Sequence, residues 1–304
     1  MNPVRLNPVY NWPDMSDTPT KNLRVAITAH PRLHEALKEA QRITEYLASM
    51  GVTVDNCPLY DETFHQKVKS GNYDLLIAIG GDGTMLRAGH LCGPSNVPIL
   101  GVNQGKFGFL TEIRANQWRQ IMPRLLAGDY RLERRMMLCA EQVRAGELLG
   151  EWDVLNEVVI GRGHIVRPVH LVTEVDGRYL TTYVADALIA STPTGSTAYA
   201  LAAGGPILPP ELRTILLVAV APHLSIDRAI VLAEGSTVEV TVHTDHQASV
   251  CIDGQAPIDL LDGDRVNVSA SDHTVEFIRF QDPGYFYRNL TPHMNQNPST
   301  SNPR

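Results

Sequence analysis

Hydrophobic and polar residues follow two different periods along the chain, and the change comes near residue 135. Before it, short apolar runs are separated by stretches whose apolar residues recur at helical spacing. Strands that alternate with helices predict a parallel, doubly wound sheet. The predicted strands are residues 23–28, 52–57, 73–80 and 98–103, and the predicted helices are residues 32–51 and 116–128, the second interrupted or bent near Pro123.

In the second half, apolar and polar residues alternate over short runs, which predicts strands with one buried face. Two such runs surround Asp176-Gly177 within residues 170–184, a pattern that favours a β-hairpin. Further short strands are predicted at residues 236–244, 248–255, 264–272 and 273–280. The chain is therefore predicted to combine an α/β half with an all-β half.

These patterns divide the chain into four parts. Residues 1–21 contain four prolines and are predicted to be a flexible arm. An α/β domain is expected at 22–134 and a β-rich domain at 135–280. Residues 281–304 contain the aromatic stretch DPGYFYRNL at 282–290, which we expect to pack on the protein, and end in a polar tail that we expect to be disordered.

Composition and charge exclude several classes of protein. Of the 304 residues, 43% are hydrophobic and 19% charged, which is typical of a soluble globular protein. The net charge of −7 disfavours binding to nucleic acid or to an anionic membrane. The sequence has neither an apolar run of bilayer length nor the apolar core of a signal peptide. The four cysteines form no C-x-x-C pair, so we expect a cytoplasmic protein without a disulfide framework or structural zinc.

The first candidate for chemistry is the stretch AIGGDGT at residues 78–84. Glycines at 80, 81 and 83 allow a sharp backbone turn and the close approach of another molecule, and Asp82 places a charge there. The alternative is a strand-to-helix turn in which Asp82 only favours the helix N-terminus. Three glycines around one carboxylate, at the carboxyl end of a predicted parallel strand, favour a ligand loop.

Three other stretches combine polar groups with apolar surroundings. Asn156-Glu157 interrupts an apolar strand, and a surface bulge explains it about as well as a ligand contact. Residues 191–205 hold many hydroxyls and glycines, suited to phosphate and ribose. Asp253-Gly254 is most simply a hairpin turn. The sequence contains no Walker phosphate loop, no G-x-G-x-x-G fingerprint and no nucleophile elbow.

Together these stretches resemble the NAD kinase family, which phosphorylates NAD to NADP. GGDGT alone is shared with lipid kinases, but its combination with NEVVI and TPTGSTAY is specific. The resemblance extends over roughly residues 22–290, in the motifs GGDGT (80–84), GVNQGKFGFL (101–110), NEVVI (156–160), STPTGSTAYALAAGGPI (191–207), PHLSIDR (222–228) and DGQ (253–255).

The resemblance implies a Rossmann-like N-terminal domain and a C-terminal β-sandwich-like domain, with the C-terminal segment 281–304 returning to the N-terminal domain. It implies transfer of the γ-phosphoryl of ATP to the 2′-hydroxyl of the adenosine ribose of NAD, with Mg²⁺ bound together with ATP. It also implies a homodimer or homotetramer formed through the β domain, with NAD between domains and partly between subunits. Asp82 would be the catalytic acceptor, and the residues implied to bind the nucleotides are Gly83, Arg87, Asn156, Glu157, Arg167, Asp186, Thr194, Thr197, Ala198, Tyr199 and Gln255. No residue is assigned as a metal ligand.

The chain departs from the family pattern at three positions. Ala187 stands where Gly usually follows the Asp, and alanine fits poorly if that backbone needs a positive φ. Val184 replaces a frequent basic residue, and Ala229 replaces a usual proline.

Two other functions remain to be weighed. A lipid kinase would share GGDGT but should continue towards an Asn-Glu and a G-T-G-N-D stretch, whereas this chain continues as MLRAGH and GVNQGKFGF. A non-enzymatic NADP-binding sensor would retain the binding residues without turnover.

Overall fold

The computed structural model describes residues 23–105, 108–223, 226–288 and 290. The predictions of an N-terminal arm and of a disordered tail fall on residues outside this part of the chain, as do Lys106, Phe107, Leu224 and Ser225 in two of the motifs. Among the residues described, no helix combines the length and the apolar character needed to cross a membrane.

Five α-helices and seventeen strands make up the described parts of the chain. The helices are α1 His34–Ser49, α2 Glu62–Lys69, α3 Asp82–Cys92, α4 Trp118–Leu126 and α5 Tyr199–Ala202. The strands of the first half are β1 Arg24–Ala29, β2 Thr53–Asn56, β3 Leu75–Gly80, β4 Ile99–Asn103 and β5 Ile113–Arg114. The later strands are β6 Arg131–Arg144, β7 Glu147–Val154, β8 Glu157–Arg162, β9 Val169–Val175, β10 Arg178–Ala185, β11 Ala187–Ser191, β12 Thr214–Val220, β13 Ile230–Ala233, β14 Val238–His243, β15 Ala248–Ile252, β16 Ile258–Leu260 and β17 Arg265–Arg279.

The first half is a parallel sheet with helices on both faces, as the sequence predicts. Its strands run in the order β4-β3-β1-β2, and all pairs are parallel. Helices α1 and α4 pack on one face and α2 and α3 on the other. Because both faces are covered, the strands read as continuous apolar runs rather than as alternating ones. All six residues of β3 are buried.

The second half is an antiparallel sandwich. A sheet in the order β13-β12-β11-β8-β15-β16 packs against β6, β9, β10, β14 and β17. The inward residues of both sheets form the largest core cluster, which includes Leu138, Ile160, Tyr183 and Val240. The predicted hairpin is β9–β10, with Asp176 and Gly177 at φ 52° and 71°.

Strand β17 differs from the prediction of two separate strands. It runs unbroken over fifteen residues, with a register shift between Ala270 and Thr274 where it pairs with β6. The polar residues at this bulge suggest a turn in the sequence, but the bulge accommodates them within the strand. The end of β17 pairs in parallel with β4 through Phe277 and Ile99, so a single eleven-stranded sheet passes through both halves. A domain boundary at 134/135 stays a prediction, and it would fall within β6.

Two helices also differ from the sequence predictions. Helix α2 was not predicted, although Asp61 caps it by accepting a hydrogen bond from the Phe64 N–H at 2.7 Å. Helix α4 continues through Pro123 instead of being interrupted there.

Candidate active site

Asp82 is the first residue of α3, directly after the end of β3. Its carboxylate does not cap the helix. It crosses to the following loop, where Oδ2 accepts from the Phe109 N–H at 2.8 Å and Oδ1 from the Leu110 N–H at 3.1 Å. A Cβ at Gly108 would lie 2.0 Å from Oδ1, so this approach requires glycine. The Asp82 side chain therefore does not cap the helix, because it bonds to a loop 27 residues away, while its negative charge still lies in the first turn of α3.

The glycines around Asp82 matter for space rather than for the turn. None of Gly80, Gly81 and Gly83 has a positive φ, so the backbone turns without the left-handed conformation. Gly80 is needed because a Cβ there would lie 2.3 Å from the Thr84 hydroxyl. At Gly81 and Gly83 a Cβ would meet nothing within 4 Å, so this side of the loop faces open space beside the carboxylate.

Asn156 and Glu157 lie at the turn from β7 into β8, and a second carboxylate holds this turn. Asp253 Oδ1 accepts from the N–H groups of Asn156 and Glu157, both at 2.8 Å, and Oδ2 accepts from the Leu155 N–H at 2.7 Å. The interpretation of Asp253-Gly254 as a turn agrees with their φ angles of 47° and 67°. That interpretation missed the side chain, whose three backbone donors lie almost a hundred residues away.

Glu157 is a buried carboxylate with spare hydrogen-bonding capacity. The residue is 7% exposed, and its Oε2 has no partner among the described residues. Burial raises the pKa of Glu157 to about 7, the nearby Asp253 carboxylate acts in the same direction, and the Tyr199 N–H opposes them. An unpartnered buried acceptor costs stability unless a ligand binds it, so this oxygen is a candidate position for a hydrogen-bond donor of a ligand.

The loop that follows β11 is built onto the same turn. The Thr192 hydroxyl donates to the Leu155 carbonyl at 2.6 Å, and the Thr192 N–H donates to the Asn156 carbonyl at 2.9 Å. A Cβ at Gly195 would lie 2.3 Å from the Asn156 oxygen. The Ser196 hydroxyl donates to the Pro193 carbonyl at 2.6 Å. Several of the hydroxyls suggested for phosphate or ribose therefore hold the loop together instead.

A buried charge network connects the two halves of the site, and the sequence gives no local signal for it. The Arg279 guanidinium donates to the Leu110 carbonyl at 3.1 Å and to Glu133 at 3.0 Å. Arg135 donates to Glu133 at 2.6 Å and to the Thr194 hydroxyl at 3.2 Å. Burial alone would raise the pKa of Glu133, but the two guanidinium groups outweigh it and hold that pKa far below its usual range.

The residues that the resemblance implies for nucleotide binding lie in separate places within one chain. Strand pairing sets Ser191 opposite Glu157 and Ala187 opposite Gly161, so Asp186 lies at the other end of these strands. Four strand residues span about 13 Å. The first group, on the elements around Asp82 and Glu157, comprises Gly83, Asn156, Thr194, Thr197, Ala198, Tyr199 and Gln255.

The remaining three implied residues have partners elsewhere. Asp186 pairs with Arg162 at 3.0 Å, and Arg167 lies beyond the end of β8, 3.8 Å from Asp245. Arg87 is exposed on α3, where its guanidinium lies over the Tyr60 ring.

Ala187 does not strain the chain. It belongs to β11 and has no positive φ, so the possible misfit of alanine does not arise. Gly161 of the neighbouring strand β8 leaves the space that the Ala187 side chain occupies, because a Cβ at Gly161 would lie 2.7 Å from the Ala187 Cβ.

Family models match both halves of the chain. The model of the ATP-NAD kinase N-terminal domain matches residues 26–130, and that of the ATP-NAD kinase C-terminal domain matches residues 155–280. The NAD kinase of Citrifermentans bemidjiense is 40% identical over 274 residues, which cover 86% of this chain and 95% of that protein. The NAD kinase of Chloroflexus aggregans is 38% identical over 267 residues, covering 88% and 96%.

Solved structures agree in fold. An NAD kinase from Archaeoglobus fulgidus in complex with ATP superposes with a TM-score of 0.72 at 26% identity, covering 90% of this chain and 99% of that one. A yeast NADH kinase complexed with NADH superposes with a TM-score of 0.79 at 22% identity, covering 93% and 91%.

The raised pKa of Glu157 predicts a pH-dependent effect of Glu157→Gln on stability. The folded protein holds this proton up to a pH of about 7, whereas the unfolded chain releases it near the ordinary glutamate pKa of 4.5. Wild-type stability therefore falls across this window as pH rises. The stability of Glu157→Gln relative to wild type should increase between pH 5 and pH 8, by at most about 3 kcal/mol.

Denaturant unfolding of both proteins at the two pH values measures this difference. Glu151→Gln, at an exposed carboxylate of β7, is the control. A stability difference between Glu157→Gln and wild type that is the same at both pH values would contradict the assignment.

Proposed function

Because the chain belongs to the ATP-NAD kinase family, we propose that it transfers the γ-phosphoryl group of ATP to the 2′-hydroxyl of the adenosine ribose of NAD. The observation that carries the proposal is the placement of Asp82. Its carboxylate is held by two backbone N–H groups at the edge of a loop whose glycines face open space. A hydroxyl can enter there without displacing a side chain.

In this proposal NAD binds to the turn at Asn156 and Glu157 and to the loop that follows β11. Glu157 contributes an oxygen that has no partner within the described parts of the chain, and Asn156 contributes its carboxamide beside it. A carboxylate and a carboxamide suit the vicinal hydroxyls of a ribose. Thr197, Ala198 and Tyr199 supply further contacts from the adjoining loop, with Tyr199 43% exposed.

ATP binds at the amino-terminal end of α3. The first N–H groups of a helix lack partners within the helix, and its dipole favours anions, so the phosphates can lie against this end. Gly81 and Gly83 leave room for them. Phosphoryl transfer requires mainly positioning and charge stabilisation from the protein, which such a loop provides.

Asp82 acts on the proton of the attacking hydroxyl. A carboxylate is a much weaker base than an alkoxide, so Asp82 first accepts a hydrogen bond and orients an oxygen lone pair towards phosphorus. As the new P–O bond forms, the bond from the γ-phosphorus to the bridging oxygen breaks and its electron pair leaves with ADP. The hydroxyl proton passes to the Asp82 carboxylate.

Mg²⁺ enters as part of the substrate, bound by the phosphate oxygens of ATP and offsetting their charge. No protein ligand set is assigned to it. Among the described residues, the one group of three His, Cys, Asp or Glu side chains with converging ligand atoms is Cys139, Glu141 and Glu151. These residues lie on β6 and β7 and not on the elements that carry Asp82.

The separation of the implied binding residues supports a homo-oligomeric site. Asp186 and Arg167 lie at the far end of the strands that begin or end at Glu157. In this proposal, a second copy of the chain brings these two side chains to the nucleotide. A dimer or a tetramer with a two-fold axis meets this requirement.

A cytoplasmic location also remains a proposal. It is supported by the four cysteines, all of which are free, as expected for a reducing compartment.

The two alternatives lack support. A lipid kinase shares the GGDGT loop, but the family models and relatives that match both halves of this chain are those of NAD kinases. A sensor without activity would not need Asp82 held beside an open loop.

The central experiment is turnover of NAD with ATP and Mg²⁺, compared with NAD whose adenosine ribose lacks the 2′-hydroxyl. NADP should form from NAD, and the deoxy analogue should compete with NAD without being phosphorylated. Phosphate on the analogue, or no turnover of NAD, would contradict the proposed reaction.

Asp82→Asn should lower kcat by about 10²–10⁴-fold, the usual contribution of a general base. The amide retains the size of the side chain but neither its charge nor its proton-accepting oxygen, while the KM for NAD should change only a few-fold. The matched control is Asp61→Asn, at a carboxylate that does cap a helix, which should retain wild-type kcat. If a folded Asp82→Asn protein retains more than about a tenth of wild-type kcat, Asp82 is not the proton acceptor.

Mixing two inactive variants tests the shared site. Asp82→Asn and Asp186→Ala should each be weakly active, whereas subunits exchanged between them should recover about a quarter of wild-type activity for a two-fold dimer. The recovery arises because a mixed dimer has one site in which both residues are intact. No recovery after demonstrated subunit exchange would mean that both residues act within one chain.

A further inference from the structure

His90 connects helix α3 to the turn at residues 155–157, where NAD is proposed to bind. It lies in the last turn of α3, the helix that begins with Asp82. Its Nε2 donates to Asp253 Oδ2 at 2.7 Å, although the two residues are 163 positions apart. The Asp253 side chain is 1% exposed and the His90 side chain 22%. This contact bridges the α/β half and the β half of the molecule.

The Asp253 carboxylate is fully used by its partners. With His90 and the N–H groups of Leu155, Asn156 and Glu157 it accepts four hydrogen bonds, two on each oxygen. Three of these donors are consecutive along the chain. A carboxylate with two oxygens has about four acceptor positions, so none is left for a substrate. Asp253 therefore acts on the turn rather than on the nucleotide.

The helix also packs directly on this turn. A Cβ at Gly89, the residue before His90, would lie 2.7 Å from the Leu155 Cδ2. The absence of a side chain at Gly89 thus allows α3 to come close enough for His90 to reach Asp253. Leu155 itself is fully buried, in the same core cluster as Met85 and Ala88 of α3.

We propose that His90 is a positioning residue, which fixes the distance between Asp82 and the ribose held by Asn156 and Glu157. This inference rests on the proposed function. Asp82 stands at one end of an eleven-residue helix, and the His90–Asp253 hydrogen bond attaches the other end to the turn. Small displacements of reacting groups cost large factors in rate, so loss of this attachment lowers kcat while NAD still binds to its own half of the site.

The test is steady-state kinetics of His90→Phe, which fills the space without a donor. We expect kcat to fall by about 10- to 100-fold, the cost of a misplacement of about 1 Å or less. The KM values for NAD and ATP should stay within about threefold, since the three N–H bonds to Asp253 remain. A merely structural role would instead lower the melting temperature and leave the kcat of the folded protein unchanged.

Rescue by a conservative variant separates the hydrogen bond from the shape of the ring. His90→Gln places an N–H donor at the end of a side chain of similar reach and should recover kcat to within about threefold of wild type. His243→Phe is the matched control, because His243 also pairs with an aspartate, Asp262, at 3.3 Å, but at the far end of β14. Its kinetic constants should equal those of the wild type. If His90→Phe does not fold, His90→Ala replaces it with the same expectations.

Hydrogen exchange at residues 155–157 gives a readout that does not depend on turnover. These amides should exchange faster in His90→Phe than in wild type and in His243→Phe. Failure of wild type to phosphorylate NAD would overturn the proposed function, while the exchange rates would still test the link from His90 to the turn. The inference is overturned by unchanged exchange, by a kcat of His90→Phe within about twofold of wild type, or by a His90→Gln no more active than His90→Phe.

Discussion

The whole arrangement depends on strand β17, which belongs to both halves of the molecule at once. Its hydrogen-bonded ladder runs beside β6 over most of its length and beside β14 over its first part, and its end pairs with β4. Any rotation of one half against the other would break this ladder and expose Val275, Phe277 and Ile278, which are fully buried. Strand β17 thereby joins the parallel sheet that leads to Asp82 to the sandwich that carries Glu157.

On this frame, buried charges determine the local geometry. Glu133 is held by two arginines, and Asp253 by four donors, at positions from which water is excluded. Removing charges from water is expensive, so such groups contribute little net stability compared with apolar packing. They do require one arrangement of their neighbours, since a partner that moves leaves a charge buried and unpaired. That property suits a site that must hold two substrates in line.

Glu157 is the exception among these carboxylates, because one of its oxygens has no hydrogen-bond partner among the described residues. Burial, together with the negative charge of the nearby Asp253, raises the pKa of Glu157 to about 7. Burial of Glu157 lowers the stability of the protein when no ligand is bound. A ligand that donates hydrogen bonds to Glu157 offsets this loss. The energetic cost at this site comes from an unsatisfied hydrogen-bond acceptor and not from the backbone. Ala187, beside Gly161, likewise has an ordinary backbone conformation.

The sequence alone determined the local elements and the family of this protein. The spacing of apolar residues in a segment depends on which faces of that segment are buried. For this reason the sequence could predict β1, β3, β4, α1 and the β9–β10 hairpin. The GGDGT, NEVVI and TPTGSTAY stretches supplied the candidate residues of the site, because loops that approach ligands need particular small and polar residues at fixed spacing.

The tertiary structure alone decided how those residues act together. The Asp82 carboxylate could have been a helix cap, and only the approach of Gly108 shows where it points. The roles of Asp253, His90 and Arg279 depend on partners 96 to 169 residues away. The continuity of β17 through a polar bulge depends on β6 beside it. Such interactions produce no periodic pattern in the sequence. Their free energy depends on which donors and acceptors are buried together when segments far apart in the chain come into contact.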